Sequence, residues 1–239
     1  MLCYGLRMPE QIALIGRLGR AQFDQTLRRI TRRLGRGLPQ PVPLGDVVVP
    51  DTPVALAAAA LVGSAGPPVL VAHCHRSYLF GALLGTRDRL QWDPEVLYVA
   101  AMLHDLGLTD FAEGTGPFEQ RGATAAQSWL REQGWPESRA DIAAAAIRMH
   151  LDVGRAGRER PEIALMHIGA AADAIGMRLE DISPQTVAEV LTVHPRGDFR
   201  TYFAGKVRAE ARAQPRSTTA AMCRWGQFAW RVEHAPFPD

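Results

Sequence analysis

The chain has 239 residues, of which 47% are hydrophobic and 22% charged, a composition typical of a soluble globular protein. Its formal net charge of +2 gives no strongly basic character, so nucleic acid is not expected as a partner. The three cysteines lie far apart with no CxxC pair, which argues against a disulfide framework and favours a reducing, cytoplasmic location. The longest apolar run, residues 54–62, is too short to span a bilayer and no secretory leader is visible, so no membrane association is expected.

The first predicted element is an amphipathic helix over residues 9–34. Arginines fill most positions outside its apolar stripe. A solvated basic face over an apolar face explains this pattern, and a surface for an anionic or protein partner is the alternative. Residues 35–51 are then predicted to form a proline- and glycine-rich arm, with a short strand at 47–49 as an option. The stripe consists of Ile12, Ile15, Leu18, Leu27, Ile30 and Leu34.

Beyond residue 51 the pattern predicts helices, separated by glycine, proline or polar turns. No internal repeat stands out, and no convincing strand is present. We therefore predict an all-α fold in which residues 1–50 form an N-terminal helix and arm, and residues 51–239 form one helical domain. The predicted helices span residues 52–63, 67–87, 93–107, 118–134, 136–151, 161–179, 184–194, 198–213 and 217–233.

The helix at residues 93–107 carries the strongest chemical signal. Asp93 is a candidate N-cap, and Gly107 is a candidate C-cap in the left-handed conformation. Near the end of this apolar helix His104 precedes Asp105, and a buried carboxylate is usually paired or bound to a metal. The doublet therefore predicts a pair of metal ligands, and such a site needs about two more ligands from other helices.

Two other segments offer those ligands. His73 and His75 lie about 200° apart on one predicted helix, so only one of them is expected to face a shared ion. Their apolar neighbours do not decide which one it is. Asp173 lies among alanines on a later helix, where a carboxylate needs a partner and the small neighbours leave room for a metal or a substrate.

The order of these residues resembles the HD-domain metallohydrolase superfamily. Four segments are similar to its cyanamide hydratase-like group, within a resemblance that spans residues 69–181. This resemblance implies an HD-domain helical bundle with extra N- and C-terminal helices. It also implies that one divalent metal ion is held by His73, His104, Asp105 and Asp173, and it selects His73 over His75 because Arg76 follows His73 by three residues. The segments are HCHRSYLFG at 73–81, LYVAAMLHDLGLT at 97–109, PFEQRGA at 117–123 and GAAADAIG at 169–176.

The resemblance also places other residues around the site. His150, a core histidine by its own neighbours, is implied to lie next to the metal pocket. Arg76 is expected either to bind substrate or to pair with a carboxylate. Thr109, Phe118 and Glu119 are expected to line the mouth of the pocket, although Glu119 also suits the first turn of a helix, where a carboxylate is favourable.

The implied ligand set predicts the chemistry. Two imidazoles and two carboxylates leave the site neutral overall with a divalent ion and suit Zn²⁺, the favoured ion, as well as Fe²⁺, Mn²⁺ or Co²⁺. Bound water acidified toward a pKa of ~7 is then expected to attack the substrate, with Asp105 and His150 as catalytic residues. The resemblance favours a small neutral nitrile, with cyanamide hydrated to urea.

Hydrolysis of a nucleotide or another phosphate ester is the alternative, and it would need cationic clamps such as Arg76, Arg121 and Arg148. A degenerate module that only binds a ligand is disfavoured, because all four ligand types are present. His167 lies about 120° round its helix from Asp173, which predicts a packed histidine and a mononuclear site. The expected partner is a small-molecule substrate, and a homo-oligomer is left open.

Overall fold

The computed structural model describes residues 6–34 and 42–237, and within these ranges it contains eleven α-helices and no β-strand. The predicted all-α fold is therefore confirmed. None of the described helices is long and apolar enough to cross a bilayer. The helices are α1 (Met8–Arg33), α2 (Pro53–Ala65), α3 (Pro68–Arg87), α4 (Pro94–Leu103), α5 (Phe118–Glu132), α6 (Glu137–Met149), α7 (Pro161–Ile175), α8 (Pro184–Val193), α9 (Phe199–Ala213), α10 (Thr218–Trp225) and α11 (Phe228–Glu233).

Helices α3, α4, α6 and α7 form the centre of the domain, and α3 packs along most of α7. The close approach of these two helices depends on Gly169. A Cβ atom at this position would lie 2.1 Å from the carbonyl oxygen of Ser77, so no larger residue fits. The direct backbone contact places His73 of α3 beside Asp173 of α7.

A second apolar cluster joins α1 to the helices that follow α8. Leu14 and Leu18 of α1 are buried in this cluster, which also contains Phe199 and Phe203 of α9. The boundary between residues 1–50 and 51–239 stays a prediction, while these contacts show that α1 shares a core with the C-terminal helices.

The His–Asp doublet lies just beyond a helix rather than within one. α4 ends at Leu103, His104 is its C-cap and Asp105 leads into a turn of 3₁₀-helix. The prediction that Gly107 is left-handed was wrong, because its φ is not among the positive values. Glycine is needed there for space, since a Cβ atom would lie 1.9 Å from the carbonyl oxygen of Phe118.

The predicted arm is only partly described. Residues 35–41 lie outside the described ranges. The optional strand at 47–49 was wrong, because these residues follow a 3₁₀ turn at Leu44–Asp46 and form no ladder with another segment. The described part of the arm instead contacts the domain through two hydrogen bonds: the Tyr78 hydroxyl donates to the carbonyl oxygen of Val48, and the Thr186 hydroxyl donates to that of Val42.

Two later helices end earlier than predicted. α7 stops at Ile175 because Gly176 adopts a left-handed conformation, with φ of 69°. The predicted helix at 217–233 is two helices, because Gln227 adopts a φ of 53° between them. In both cases a single residue with positive φ redirects the backbone.

The apolar stripe predicted on α1 faces mostly away from the domain. Of its six residues only Leu18 is buried, and the others are 40–69% exposed. The side of α1 that packs against the domain instead carries Leu14, Leu18 and Gln25. Periodicity located a helix with an apolar stripe, but it did not identify the face that the domain covers.

Candidate metal centre

His73 lies in the middle of α3 and is almost completely buried. Its Nδ1 lies 2.6 Å from Oδ2 of Asp173, and its ring stacks on Phe199 with the centroids 4.6 Å apart. Because Nδ1–H donates a hydrogen bond to this carboxylate, the Nε2 atom of His73 keeps a free lone pair. Burial alone would lower the pKa of His73, but Asp105 and Asp173 outweigh it and raise that pKa.

His104 presents its Nε2 in the same way. Its Nδ1 lies 2.7 Å from the carbonyl oxygen of Ala101, one turn earlier in α4. Because a carbonyl oxygen can only accept a hydrogen bond, Nδ1–H of His104 is the donor. The Nε2 atom of His104 therefore carries a lone pair, which is directed away from its own helix. Asp105 follows in the turn and is fully buried. The end of α4 thus presents one imidazole and one carboxylate to His73.

These three residues form a compact cluster of electron-rich atoms. His73 Nε2 lies 3.3 Å from His104 Nε2 and 3.4 Å from Asp105 Oδ2, and His104 Nε2 lies 3.3 Å from that same oxygen. Because both imidazoles carry their proton on Nδ1 and donate it to other acceptors, no hydrogen lies between the two Nε2 atoms and the Asp105 oxygen. Neither oxygen of Asp105 has a hydrogen-bond donor in the described part of the chain.

A buried carboxylate without a donor, beside two imidazole lone pairs, requires a positive charge. A divalent ion satisfies all three groups at once, and the mixed nitrogen and oxygen donors suit a borderline metal such as zinc. The predicted ligands His73, His104 and Asp105 are therefore brought together by the structure, and they fit a metal ion.

Asp173 is next to this cluster but is engaged on its other side. Its carboxylate accepts from Arg76 Nε at 2.7 Å, Arg76 Nη2 at 2.9 Å and Arg196 Nη1 at 2.6 Å, besides the bond to His73. Burial would raise the pKa of Asp173, but the two arginines and His73 outweigh it and hold that pKa well below its usual range. The role of Asp173 as a direct metal ligand stays a prediction. In this geometry it fixes the ring of His73.

Arg76 takes the second of its two expected roles, since it pairs with a carboxylate. Its guanidinium is fully buried, and Nη1 also donates to the carbonyl oxygen of Pro195 at 2.9 Å. Arg196 follows in the loop between α8 and α9 and was missed by the sequence analysis. A lone arginine in a proline–glycine loop gives no signal of its own, and only the fold brings it to Asp173.

His150 is the C-cap of α6 and lies beside the cluster. Its ring meets that of His104 edge to face at 5.1 Å, and its Nε2 is 3.9 Å from Oδ1 of Asp105. Its Nδ1 lies 2.6 Å from the carbonyl oxygen of Ile147, so the proton is on Nδ1 and Nε2 is an acceptor. Burial, followed by the influence of His104, lowers the pKa of His150 to about 3.

A small, largely enclosed cavity of about 40 Å³ lies against four histidines. At about 10–15 Å³ of such volume per water, the cavity holds about three water-sized groups. Apart from histidines, the described residues of its wall carry apolar side chains, and none of them is an arginine or a lysine. The lining residues are His73, His104, His150, Leu151, Val153, His167, Ala170, Ala171, Ala174, Ile175, Met177, Phe203, Met222 and Phe228.

His167 has a larger part in this site than the sequence indicated. It is buried, as predicted, and it is not one of the clustered ligands. However, it lines the cavity, and its Nδ1 lies 2.7 Å from the backbone carbonyl oxygen of His150. The angle of about 120° between His167 and Asp173 refers to one helix, whereas several helices enclose the cavity.

Three residues were expected at the mouth of the pocket: Thr109, Phe118 and Glu119. None of them is among the described residues that line the cavity. The Thr109 hydroxyl donates to the carbonyl oxygen of Leu106, and the ring of Phe118 packs 5.6 Å from that of His150. Glu119 lines a separate cleft of about 500 Å³ between α1, α5 and α6. Burial raises the pKa of Glu119 to about 7. Their contact with substrate stays a prediction.

The described residues form an all-helical domain with a buried cluster of His73, His104 and Asp105 that could hold a metal ion. Residues 70–178 match the family model described as HD domain, and this segment contains all four predicted ligands. The match supports the HD-domain superfamily, whose members are typically metal-dependent hydrolases, and so it supports an enzyme in the broad sense. It does not distinguish groups within that superfamily. A search of curated proteins returned no match.

Proposed function

We propose that this protein is a metal-dependent hydratase or hydrolase that adds water to a small neutral electrophile, with a nitrile such as cyanamide as the first candidate. The observation that carries the proposal is the cavity of about 40 Å³ at the His73, His104 and Asp105 cluster. Cyanamide has three heavy atoms, so it suits a space of this size, whereas a nucleotide would require a different conformation.

His73, His104 and Asp105 would hold the ion, and Zn²⁺ is the favoured one. When bound, a divalent ion of this kind supplies an acidified water as a nucleophile at neutral pH. The protein fixes the donors: carbonyl and carboxylate acceptors hold both imidazoles with Nε2 toward the ion position. Such supporting bonds keep the ligands oriented before the ion arrives.

The proposed reaction adds one water to the nitrile. The water oxygen bonds to the nitrile carbon, and both water protons end on the nitrile nitrogen when the product becomes urea. His150 suits this transfer, because its Nδ1–H donates to the carbonyl oxygen of Ile147, which leaves Nε2 as the acceptor. It would orient or accept a water proton in the resting state, rather than begin as a charged imidazolium.

The arginines near the site support a neutral substrate over a phosphate ester. Arg76 is occupied by Asp173, and Arg121 donates to Glu210 and to three backbone carbonyl oxygens. Arg148 lines the outer cleft rather than the cavity. Beside the ion, a phosphate group in the cavity would therefore meet imidazoles and apolar carbon, with no arginine or lysine of the described lining to share its charge.

The test compares two reactions catalysed by one preparation loaded with Zn²⁺. Urea formation from cyanamide and phosphate release from p-nitrophenyl phosphate and nucleoside monophosphates are measured, with Asp105→Asn as the inactive control. Urea formation that is lost in the control supports the proposal. Phosphate release without urea formation would establish the alternative, an HD-type phosphohydrolase.

A further inference from the structure

One surface of the molecule is not explained by the fold or by the metal centre. Seven of the fifteen large apolar residues that are strongly exposed in the described ranges lie on α1 or its C-cap. Monomers rarely expose a continuous apolar patch of this kind, and such patches usually mark an interface. We call this set the α1 stripe: Met8, Ile12, Ile15, Phe23, Leu27, Ile30 and Leu34, each 40–71% exposed.

The α1 stripe is one side of a helix whose other side is already occupied. At 100° per residue its members fall within a sector of about 120°. Leu14 and Leu18, which are buried in the domain, lie on the opposite side. Arg32 lies there too and binds Asp181 at 2.8 Å. The stripe therefore cannot turn inward without breaking these contacts.

Thr26, a polar residue in the same sector of the helix, does not interrupt the apolar character of the stripe. The hydroxyl of Thr26 donates to the carbonyl oxygen of Gln22 in the same helix, at 2.9 Å. It therefore needs no partner from outside the helix. With about 1.5 Å per residue, the 26-residue helix offers an apolar face about 39 Å long.

Two glycines in the stripe are unexplained by the rest of the chain. Gly16 and Gly19 lie in the same sector, and a Cβ atom on either would meet nothing within 4 Å. Glycine inside a helix costs about 1 kcal/mol relative to alanine. Since neither the backbone conformation nor the packing of the monomer requires glycine there, a close approach from outside is the remaining physical reason.

The stripe is complementary to itself when two copies of α1 run antiparallel about a point near residue 21. Bulky residues then lie within one residue of the level of the glycines along the two helices, and isoleucines meet towards the two ends of the stripe. The opposed pairs are Phe23 with Gly19, Leu27 with Gly16, and Ile12 with Ile30. This is the arrangement that an isologous two-fold interface requires.

The charged flank of the stripe is complementary in the same orientation. Arg20 and Asp24 are exposed neighbours on one flank, 4.0 Å apart within a copy. In an antiparallel pair, like flanks face each other, so Arg20 of each copy lies opposite Asp24 of the other. We propose that the α1 stripe is the contact between two copies of this chain, which pair α1 antiparallel about a two-fold axis.

The first test is the mass in solution by light scattering coupled to size exclusion. The wild-type chain should be a dimer of about 52 kDa, twice 26.1 kDa. Phe23→Asp should yield a monomer with an unchanged melting temperature, because Phe23 is 68% exposed. Leu56→Asp, at a 58% exposed site on α2, is the matched control and should stay a dimer.

Gly19→Leu provides a second variant that cannot fail through lost packing. Its side chain has open space in the monomer, and leucine favours a helix more than glycine does. The helix should be retained while dimerisation is weakened at least tenfold, because the space for Phe23 is filled. A wild-type monomer at 100 μM, or a dimer unaffected by both variants, would overturn the proposal.

A cysteine experiment tests the orientation, in a background with Cys3 and Cys223 changed to serine. A mixture of the Ile12→Cys and Ile30→Cys chains should form a disulfide-linked heterodimer. Ile12→Cys alone should not, since its two copies would be about 27 Å apart. Linkage of Ile12→Cys to itself would overturn the antiparallel pairing. Binding of a monomeric protein to phosphatidylglycerol vesicles, abolished by Phe23→Asp, would assign the stripe to a lipid surface instead.

Discussion

Replacing Asp173 with asparagine separates its contribution to the fold from its contribution to metal binding. The carboxylate is fully buried and accepts bonds of 2.6–2.9 Å from His73, Arg76 and Arg196. Asparagine keeps one acceptor oxygen and places an NH₂ group among these donors, so two arginines lose their buried counter-charge. Removing one partner of such a pair costs about 3–5 kcal/mol.

We therefore expect the free energy of unfolding of the metal-free Asp173→Asn protein to fall by about that amount, with a melting temperature lower by about 10 °C. Equilibrium urea unfolding after chelator treatment measures it. Asp105→Asn is the matched control, because the oxygens of Asp105 have no donor in the described residues. Without metal, this control should be at least as stable as the wild type.

The two variants should rank in the opposite order when metal affinity, rather than stability, is measured. Asp105→Asn removes a direct ligand and should abolish tight Zn²⁺ binding, measured by competition with a chromogenic chelator. Asp173→Asn should weaken binding about 10–100-fold if the carboxylate only orients His73. Equal loss of metal in both variants would make Asp173 a direct ligand, and a metal-free Asp173→Asn protein as stable as wild type would refute the ion-pair reasoning.

Three further changes test other parts of the site. His150→Ala should keep the metal and the fold but lose about 10²–10⁴-fold in cyanamide turnover, whereas a merely packed histidine would lower only the melting temperature. Glu119→Gln should flatten the pH dependence of stability: the pKa of Glu119 is raised from 4.5 to about 7, so the unfolded chain releases this proton first. The free energy of unfolding of the wild type therefore falls by on the order of 3 kcal/mol as pH rises from 4.5 to about 7. Urea unfolding at both ends of that range measures the difference. Gly107→Ala should destabilise the protein by about 1–3 kcal/mol, because the added methyl would overlap the carbonyl oxygen of Phe118, while Gly63→Ala, which meets nothing within 4 Å, should be neutral or stabilising in the same melting assay.

The helices could be predicted from the sequence because their signals are local. Proline and capping residues mark most of the starts, and α3 begins at Pro68, within one residue of the prediction. The errors occur where a single backbone angle decides the outcome. Gln227, with a φ of 53°, splits one predicted helix into two, and nothing in its side chain indicates that conformation.

The clustered ligands were predictable for a different reason. The resemblance supplied His73, and the local sequence supplied the His104–Asp105 doublet. Arg196 was not predictable, because it lies 23 residues beyond Asp173 in a loop whose position depends on the packing of α8 and α9. A residue brought to a site only by tertiary structure leaves no periodic signal.

Arg196 also changes the charge balance expected for the site. The sequence predicted two carboxylates that offset a divalent ion. In the structure, Asp173 is already offset by Arg76 and Arg196, both within hydrogen-bond distance of its carboxylate. Asp105 alone then faces the ion, and the buried centre would carry an excess of positive charge. Such an excess in an apolar cavity would favour negative charge developing on a bound water or nitrile, although the described lining residues include no lysine or arginine.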